Sequence, residues 1–441
     1  MKVRELLGCV AATATVVCLT TAVPAAAGIG ATAATPSATE PAAPAEQPTG
    51  SAPDTSVPES PDSTTSPDAQ TSSPAESPGD AAVVPADPAG EVADPGDGEI
   101  QKRYESMSEQ QRQAVGEPAG AEVVEDEGLR WQDFTHGRFY WTPETGVKVV
   151  HGSIYGRLLE LGGHAELGVP ITDEMTSSGG GRYSDFRTRD GVIHSAIYWS
   201  TRTGAHLVQG RILEHFREIG EDAGFGYPST DTRTTPDGFG AYNHFLTPSG
   251  QREDASIYWA QPTGPNAVMG AIRDKWAATG WERGPLSYPT TDELSTSDGV
   301  GRYNEFNGDG TLPAAIVWSP QTAAHSVQGV IAQRYAELGG PDEFLGYPTT
   351  DELPTPDGRG RFNHFTGTGG ASIYWTPQTG AHAVYGGIRA RWSQLGWERS
   401  YLGYPVGEEH DIPQGRAAEF EGGFIEWHSD LGQVIDYPKR R

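Results

Sequence analysis

The chain of 441 residues carries 31 lysines and arginines against 59 aspartates and glutamates, a formal net charge of −28 at pH 7. With no basic cluster to meet phosphate groups, this balance excludes a nucleic-acid partner. The two cysteines, Cys9 and Cys18, both lie within the first 27 residues. Once that segment is removed, the mature chain has no thiol for a disulfide, a thiolate metal site or nucleophilic catalysis.

Residues 1–27 are predicted to be a secretory signal peptide. Lys2 and Arg4 supply the positive start, residues 6–23 are largely apolar, and three alanines at 25–27 provide a cleavage site. An uncleaved membrane anchor is the alternative, but the apolar stretch is short and diluted by threonines. We therefore expect a secreted protein with no stable membrane insertion.

Residues 28–98 are predicted to form a disordered linker. They are rich in Pro, Ala, Ser and Thr and contain no aromatic residue. Such a segment cannot bury enough apolar area to offset the entropy lost on ordering. At roughly 3 Å per residue it spans on the order of 200 Å. It is a passive tether or, given its Ser/Thr-Pro content, an O-glycosylated stalk.

An internal repeat dominates residues 99–437, and its clearest marker is a Leu-Gly-x-Pro tetrad. The tetrads lie at 167–170, 225–228, 286–289, 345–348 and 402–405, with a degenerate first copy at 115–118. Their prolines lie 52, 58, 61, 59 and 57 residues apart, a period typical of tandem repeat proteins. We divide the region into six copies: 99–151, 152–209, 210–269, 270–328, 329–386 and 387–437.

A short helix is predicted before each tetrad, because apolar residues recur there at i, i+4 and i+7, the spacing of one helical face. The first column of this face is Ile100, Ile154, Ile212, Ile272, Ile331 and Ile388. In copies two to six a glycine follows the third apolar position, as expected for a left-handed C-terminal cap.

Three short strands are predicted after each tetrad, as in copy five at 361–365, 373–375 and 381–384. One helix and one small antiparallel meander cannot bury both faces of the sheet, so neighbouring copies must cover it. We predict an α+β fold of tandem repeats arranged as a closed, propeller-like ring. The degenerate first copy and a last copy without a clear third strand fit ring closure, and simple capping of the two ends is the alternative.

The tetrads, the Thr-Asp-Glu that follows them, and the Ile-Tyr-Trp and Thr-Gly-Ala-His segments in register resemble the LGFP repeat family of actinobacterial cell-surface proteins. The resemblance covers residues 98–437. In that family the repeats often follow a catalytic domain, such as a mycolyltransferase or an amidase, and are thought to hold it to the cell envelope. The resemblance implies association with arabinogalactan or peptidoglycan. This chain departs from the pattern in having no catalytic domain, and Ser287 replaces the glycine of one tetrad.

No catalytic pattern is evident, since both the Gly-x-Ser-x-Gly and the His-Glu-x-x-His motif are missing from the sequence. An acid does recur three positions after the tetrad proline, as Asp173, Asp231, Asp292, Asp351 and Glu408. One active site does not need five equivalents, so we expect these acids to brace the turn by accepting backbone N–H groups. We predict no enzymatic activity, no cofactor and no metal site; a cryptic wall hydrolase is the least favoured alternative.

Alternation along the Ile-x-Trp strands places Ile and Trp on one face, which we interpret as core. The middle position becomes Glu426 in the last copy, and the third tetrad position is Glu117 in the first, so both positions are predicted to be exposed. Tyrosines there suit stacking on sugar rings, and a column of arginines adds donors, unless it pairs with nearby acids. The predicted ligand-binding residues are Tyr198, Tyr227, Tyr258, Tyr288, Tyr347, Tyr374, Tyr404, Arg182, Arg302 and Arg361.

These features predict a secreted, cell-wall-associated, non-catalytic repeat protein. It is expected to bind envelope polysaccharide, arabinogalactan or peptidoglycan, through weak contacts repeated along a polymer, and so to anchor or organise the envelope. The alternative is a structural or protein-interaction scaffold for envelope enzymes.

Overall fold

The computed structural model describes residues 96–125, 128–251 and 253–440. The predicted signal peptide, and the predicted linker up to residue 95, lie outside the described residues. The described part consists of six successive units, each with a helix followed by a small antiparallel sheet. None of its helices is both long enough and apolar enough to cross a membrane.

Each predicted repeat helix is present, and a shorter helical segment follows it. The helices are α1 (Glu99–Ser106), α2 (Glu109–Val115), α3 (Gly152–Glu160), α4 (His164–Leu167), α5 (Gly210–Glu218), α6 (Glu221–Gly224), α7 (Gly270–Ala278), α8 (Gly329–Glu337) and α9 (Gly386–Leu395). In the last three units, 3-10 turns at Trp281–Arg283, Gly340–Asp342 and Trp397–Arg399 take the place of α4 and α6. The tetrad follows this segment in each unit.

The sheets are antiparallel, and their long strands follow one another in chain order. The strands of the first three units are β1 (Val123–Val124), β2 (Arg130–Phe134), β3 (Gly137–Thr142), β4 (Gly146–His151), β5 (Val169–Pro170), β6 (Met175–Thr176), β7 (Arg182–Arg187), β8 (His194–Ser200), β9 (Gly204–Gln209), β10 (Tyr227–Pro228), β11 (Arg233–Thr234), β12 (Gly240–Leu246), β13 (Ala255–Ala260) and β14 (Gly264–Met269). Those of the last three are β15 (Leu294–Ser295), β16 (Arg302–Phe306), β17 (Ala314–Ser319), β18 (Ala323–Gln328), β19 (Leu353–Pro354), β20 (Arg361–Phe365), β21 (Ala371–Thr376), β22 (Gly380–Tyr385), β23 (His410–Ile412), β24 (Gly415–Phe420), β25 (Gly423–His428) and β26 (Gln433–Pro438). The last unit therefore has a complete third strand, β26, which the sequence did not make clear.

The helices α3, α5, α7, α8 and α9 each pack between the sheet of their own unit and the sheet of the preceding one. In the core around α5, Ile212 and Phe216 of the helix pack with Tyr198 of the preceding sheet and with Ile257 of the following one. The same arrangement recurs around α3, α7, α8 and α9. The first five sheets thus have a helix on both faces, which confirms that neighbouring units cover them.

The acid three positions after each tetrad proline joins its unit to the preceding sheet. The third long strand of each sheet lies at the sheet edge, where its outward N–H groups have no strand partner. Asp231 Oδ1 accepts the Leu207 N–H at 2.9 Å, and Asn243 Nδ2 donates to the Leu207 carbonyl, also at 2.9 Å. The N–H groups of Val149, Ala267, Ser326 and Ala383 are bound in the same way by Asp173, Asp292, Asp351 and Glu408. The acids accept backbone N–H groups as expected, but those of the neighbouring unit.

A basic side chain from the helix of the preceding unit also contacts each of these acids. We call the acid, the strand N–H group and the basic side chain together a joint. The basic residues of the joints were not predicted from the sequence. Arg103, Arg157, His215, Lys275 and Arg334 contact Asp173, Asp231, Asp292, Asp351 and Glu408 in turn. The hydrogen bond to Asp292 raises the pKa of His215. At the two ends the joint changes: Ala121 replaces the acid in the first unit, and Arg391 binds Asp436 of its own sheet at 2.7 Å.

Removing one acid should weaken one joint. Asp231→Ala is expected to lower the free energy of unfolding by about 2–3 kcal/mol, because the Leu207 N–H and the part-buried Arg157 lose their acceptor. Asp231→Asn keeps an oxygen acceptor and should cost less. Urea unfolding of the full chain measures both. The control Glu214→Ala breaks an exposed ion pair with Arg211 within α5 and should cost less than about 0.5 kcal/mol; an equally small loss for Asp231→Ala would contradict the joint.

Candidate functional site

The tyrosines in the middle of the Ile-x-Trp strands are buried, so the prediction that they are exposed is wrong. Tyr198, Tyr258 and Tyr374 are 0%, 3% and 2% exposed. The sheet face assigned to solvent is covered by the helix of the next unit. Glu426 takes this position in the sixth sheet, after which the described residues contain no further unit. The polar residue belongs to the last described sheet alone and does not indicate that the column is exposed.

The tetrad tyrosines reach back to a turn of the preceding unit. The Tyr404 hydroxyl donates to Asp357 at 2.5 Å, and Tyr288 and Tyr347 donate to equivalent aspartates at 2.7 Å. Exposure was predicted wrongly for Tyr288 and Tyr404, which are 7% and 0% exposed, because the hydroxyl ties two units together and the ring fills the gap between them. Tyr227 and Tyr347 are half-buried.

The predicted arginines lie beside a second acid, which follows the repeat acid directly. Arg361 Nε lies 3.5 Å from Glu352 Oε1; the arginine side chain is 52% exposed and the glutamate side chain 9%. Equivalent pairs are Arg130–Glu122, Arg182–Glu174, Arg302–Glu293 and Arg416–Glu409. In the third unit Thr232 and Ala241 occupy the two positions, so acid and base are present together or replaced together. Pairing with nearby acids, the alternative left open for these arginines, is what the structure shows.

Burial disfavours the charged form of four of these second acids, Glu174, Glu293, Glu352 and Glu409. It raises the pKa of Glu174, Glu293 and Glu352, and the neighbouring arginines offset the effect only in part. For Glu409 burial raises the pKa to about 7, against the opposing effects of the Tyr385 N–H, 2.8 Å away, and of Arg416. The last junction therefore holds a carboxyl group that is partly protonated at neutral pH.

Strand register places each of these arginines beside the tryptophan of an Ile-x-Trp segment. The opposed pairs are Arg182 and Trp199, Arg302 and Trp318, and Arg361 and Trp375. Each tryptophan packs on the core of its own unit as predicted, yet each is only half-buried. From the sequence, these indoles were predicted to lie in the core. The sequence signal that they are partly exposed is the column of arginines that lies opposite them in strand register. We call these three pairs, with their buried acids, the Trp–Arg clefts.

Cavities lie at or beside the Trp–Arg clefts, where the helices begin. One of about 240 Å³ is lined by Glu293, Arg302, Trp318 and the start of α7. A second, of about 630 Å³, is lined by Glu352, Arg361 and the start of α8. A half-exposed indole offers an apolar surface, a guanidinium offers several donors, and the first turn of a helix has N–H groups without intrahelical partners. Together these groups can bind the apolar face and the hydroxyls of a sugar ring.

The raised pKa of Glu409 should make the stability of the last junction depend on pH. Because the folded carboxyl binds its proton more tightly than the unfolded one, stability is lost as pH rises from about 4.5 to about 7. Glu409→Gln removes this loss. The variant should exceed wild type by roughly 1–3 kcal/mol at pH 8 and match it near pH 4.5. Thermal unfolding of the full chain at both values measures the difference, with the exposed Glu419→Gln as control. A Glu409→Gln difference that is the same at both pH values would contradict the assignment.

Comparison with known proteins links the chain to one family. The LGFP repeat model matches residues 115–166, 167–224, 225–284, 286–343, 345–400 and 402–435. None of the curated proteins matches the chain at a significant level.

Solved structures are similar only at a distance. Hydrazine synthase of Kuenenia stuttgartiensis shares 12% identity over 73% of this chain and 80% of its own, with a TM-score of 0.12. A putative 6-phosphogluconolactonase of Bacteroides uniformis shares 13% over 72% and 86%, also at 0.12. The periplasmic gluconolactonase of Pseudomonas aeruginosa shares 11% over 74% and 81%, at 0.11. At such TM-scores the similarity supports no conclusion about fold or function. By its six matched repeats, the chain belongs to the LGFP repeat family.

Proposed function

We propose that this chain is a secreted, cell-wall-associated, non-catalytic repeat protein that binds envelope polysaccharide through its Trp–Arg clefts. The observation that carries the proposal is the recurrence of one surface group, a half-buried tryptophan opposite an arginine, at the same place in three units. The predicted signal peptide and linker support secretion and a reach into the wall. In this role the protein anchors or organises the envelope.

The chemistry of a cleft suits a sugar ring better than a peptide or a nucleotide. The exposed surface of the indole can pack against the apolar face of the sugar ring. The side chains of Arg302 and Arg361 are 40% and 52% exposed, and their guanidinium groups can donate to the sugar hydroxyls. Each single contact is weak. A polymer that repeats the same sugar can occupy several clefts at once, so its total affinity exceeds that of any one of them.

The repeated acids support a non-catalytic role. Asp173, Asp231, Asp292, Asp351 and Glu408 each accept a strand N–H and contact a basic side chain of the neighbouring unit. A carboxylate held in this way is occupied by groups of its own protein, whereas a general acid or base must exchange its proton with a substrate.

Binding is tested with the full chain and purified, protein-free arabinogalactan and peptidoglycan. We expect saturable binding to one fraction. The double variant Arg302→Gln, Arg361→Gln should weaken it about tenfold, which corresponds to about 1.4 kcal/mol. The control Arg211→Gln changes an exposed arginine of α5 outside the clefts and should bind as wild type. Absence of binding by the folded protein to either fraction would favour a scaffold for envelope enzymes.

We also propose that the six units close into a propeller-like ring, with α1 covering the outer face of the last sheet. In the junction between units five and six, Arg389 Nε donates to Ser372 Oγ at 2.6 Å. Gln101 and Phe424 occupy the equivalent positions at the two ends. The same stacking repeated at every junction is the support for closure.

A disulfide between the two ends tests the ring, because the mature chain is expected to have no other cysteine. Gln101→Cys with Phe424→Cys should form an intramolecular disulfide under mild oxidation, since bonded cysteines need Cα atoms within about 7 Å. The matched pair Arg389→Cys with Ser372→Cys is the positive control. A disulfide in the control alone would show an open row with capped ends.

A further inference from the structure

The junction between the second and third units encloses a cavity of about 430 Å³ that is separate from the cavities at the helix starts. Its wall includes the turn at 179–181, Arg202, Asp222, Ala223 and Tyr227, and also Trp199 of the neighbouring Trp–Arg cleft. The six units share one repeat pattern. The equivalent positions in the other units, which we call the sister copies, therefore show which residues are usual at a junction between two units. Three departures from that pattern meet in this cavity.

The first departure is Ala223, which like Ala165 of the second unit stands where the later units carry a side chain that reaches the preceding unit. Arg399 donates to the Pro356 carbonyl at 3.0 Å, and Arg283 donates to the Pro236 carbonyl. In the fifth unit Asp342 accepts the Ser297 N–H at 2.6 Å. The methyl group of Ala223 cannot make such a bridge, so the space between the units stays open.

The second departure is a shorter turn before the first long strand. In the second unit the Ser177 N–H donates to the Gly181 carbonyl at 3.0 Å, whereas in the third the Thr235 N–H donates to the Gly240 carbonyl, also at 3.0 Å. One residue is therefore missing, and it is the exposed tip that is Phe239, Val300 or Arg359 in the sister copies. The remaining tip consists of Ser178, Gly179 and Gly180 and leaves the mouth of the cavity uncovered.

Glycine is required in this short turn by Asp222. The Gly179 N–H donates to Asp222 Oδ2 at 2.6 Å, and a Cβ atom on Gly179 would lie 2.5 Å from the same oxygen. Ser177 and Ser178 donate to the carboxylate at 2.7 and 3.0 Å. Asp222 is thus fixed in place with its charge stabilised by neutral donors.

The third departure is Arg202, which occupies the turn between β8 and β9, where Pro262, Gln321 and Gln378 stand in the later units. Its guanidinium donates to the carbonyls of Thr247 and Pro248, both at 3.2 Å, and to that of Gly250. These partners are neutral, so Arg202 brings a positive charge to the cavity wall opposite the negative charge of Asp222.

We propose that this cavity, which adjoins the cleft of Trp199, binds one neutral sugar residue of the polysaccharide, so that each chain has one site of sugar recognition that the clefts of the later units lack. This inference rests on the proposed function. The ring of Tyr227 provides the apolar wall and Arg202 donates to sugar hydroxyls. Asp222 is 1% exposed and bound by Ser177, Ser178 and Gly179, so it contributes a fixed negative charge behind the wall. The volume is that of a small-molecule site.

The charge of the molecule favours a neutral sugar over an acidic one. The cavity pairs one arginine with one aspartate, and the chain as a whole has a formal charge of −28, which repels a polyanion. Tyr227, a residue predicted from the sequence to contact ligand, is half-buried and lines this cavity. It is the tetrad tyrosine whose surroundings differ most from those of its sister copies.

Calorimetric titration of the full chain with a neutral arabinose–galactose oligosaccharide tests the site, and we expect one site per chain. Ala223→Arg restores the side chain of the sister copies and should fill the cavity, lowering the affinity at least tenfold. Arg202→Gln, also a sister residue, should lower it several-fold. The matched control Arg283→Ala, at the next junction, should bind as wild type. Thermal unfolding checks that each variant is folded.

The possible outcomes separate this site from the proposed function. If Ala223→Arg binds the oligosaccharide as tightly as wild type, the cavity is not the site, while binding of intact polysaccharide that is sensitive to Arg302→Gln and Arg361→Gln would keep the clefts. If wild type binds neither oligosaccharide nor polysaccharide, both proposals fail. Tighter binding of an acidic muropeptide than of the neutral sugar would overturn the assignment of sugar class.

Discussion

In the part of the chain that the structure describes, each of the first five sheets ends in a strand whose outward N–H and C=O groups have no strand partner. An unpaired backbone group costs free energy when it is buried. The next unit meets this requirement with side chains: a carboxylate for the N–H and, in the later units, an asparagine amide for the carbonyl. The joint also fixes how far apart successive sheets lie. A helix fits between them, and the burial of both sheet faces follows.

The same constraint separates the structural residues from those available for recognition. The acids that recur most regularly are occupied by backbone groups and basic side chains. The second acids are occupied by arginines, and the third unit shows the dependence, because Thr232 and Ala241 replace both partners there. The outward part of each arginine and the open edge of the tryptophan opposite it remain accessible. The groups that remain accessible to a ligand therefore lie at the rims of the junctions between units, where residues of the repeat and residues of one junction alone lie side by side.

The repeat, its helix and its strands could be predicted from the sequence because their signals are local. A column of isoleucines at helical spacing, a glycine cap and an Ile-x-Trp segment each report on fewer than a dozen residues. The burial of Tyr198, Tyr258 and Tyr374 could not be predicted in the same way. Period-two alternation distinguishes two faces of a strand, but it does not tell whether a second helix covers the other face. Glu426 made that face look exposed, although it belongs to the last described sheet alone.

The site was predictable only in part. Arg182, Arg302 and Arg361 were predicted to bind ligand and are partly exposed. The residues opposite them in register are tryptophans that the alternation pattern placed in the core. The basic residues of the joints were missed because each contacts an acid at least 70 residues away, as Arg103 contacts Asp173 and Arg157 contacts Asp231. Such pairs become visible only when the copies are aligned with one another. The same alignment singles out Ala223, Arg202 and the short glycine turn.

Each central unit carries both halves of the joint, an acid that reaches backward and a base that reaches forward. A unit copied within the gene would therefore arrive already complementary to both of its neighbours, and a deleted unit would leave two compatible surfaces behind. The number of units can thus change by duplication or loss without new surface chemistry, while an exceptional junction such as the one at Ala223 can acquire its own specificity.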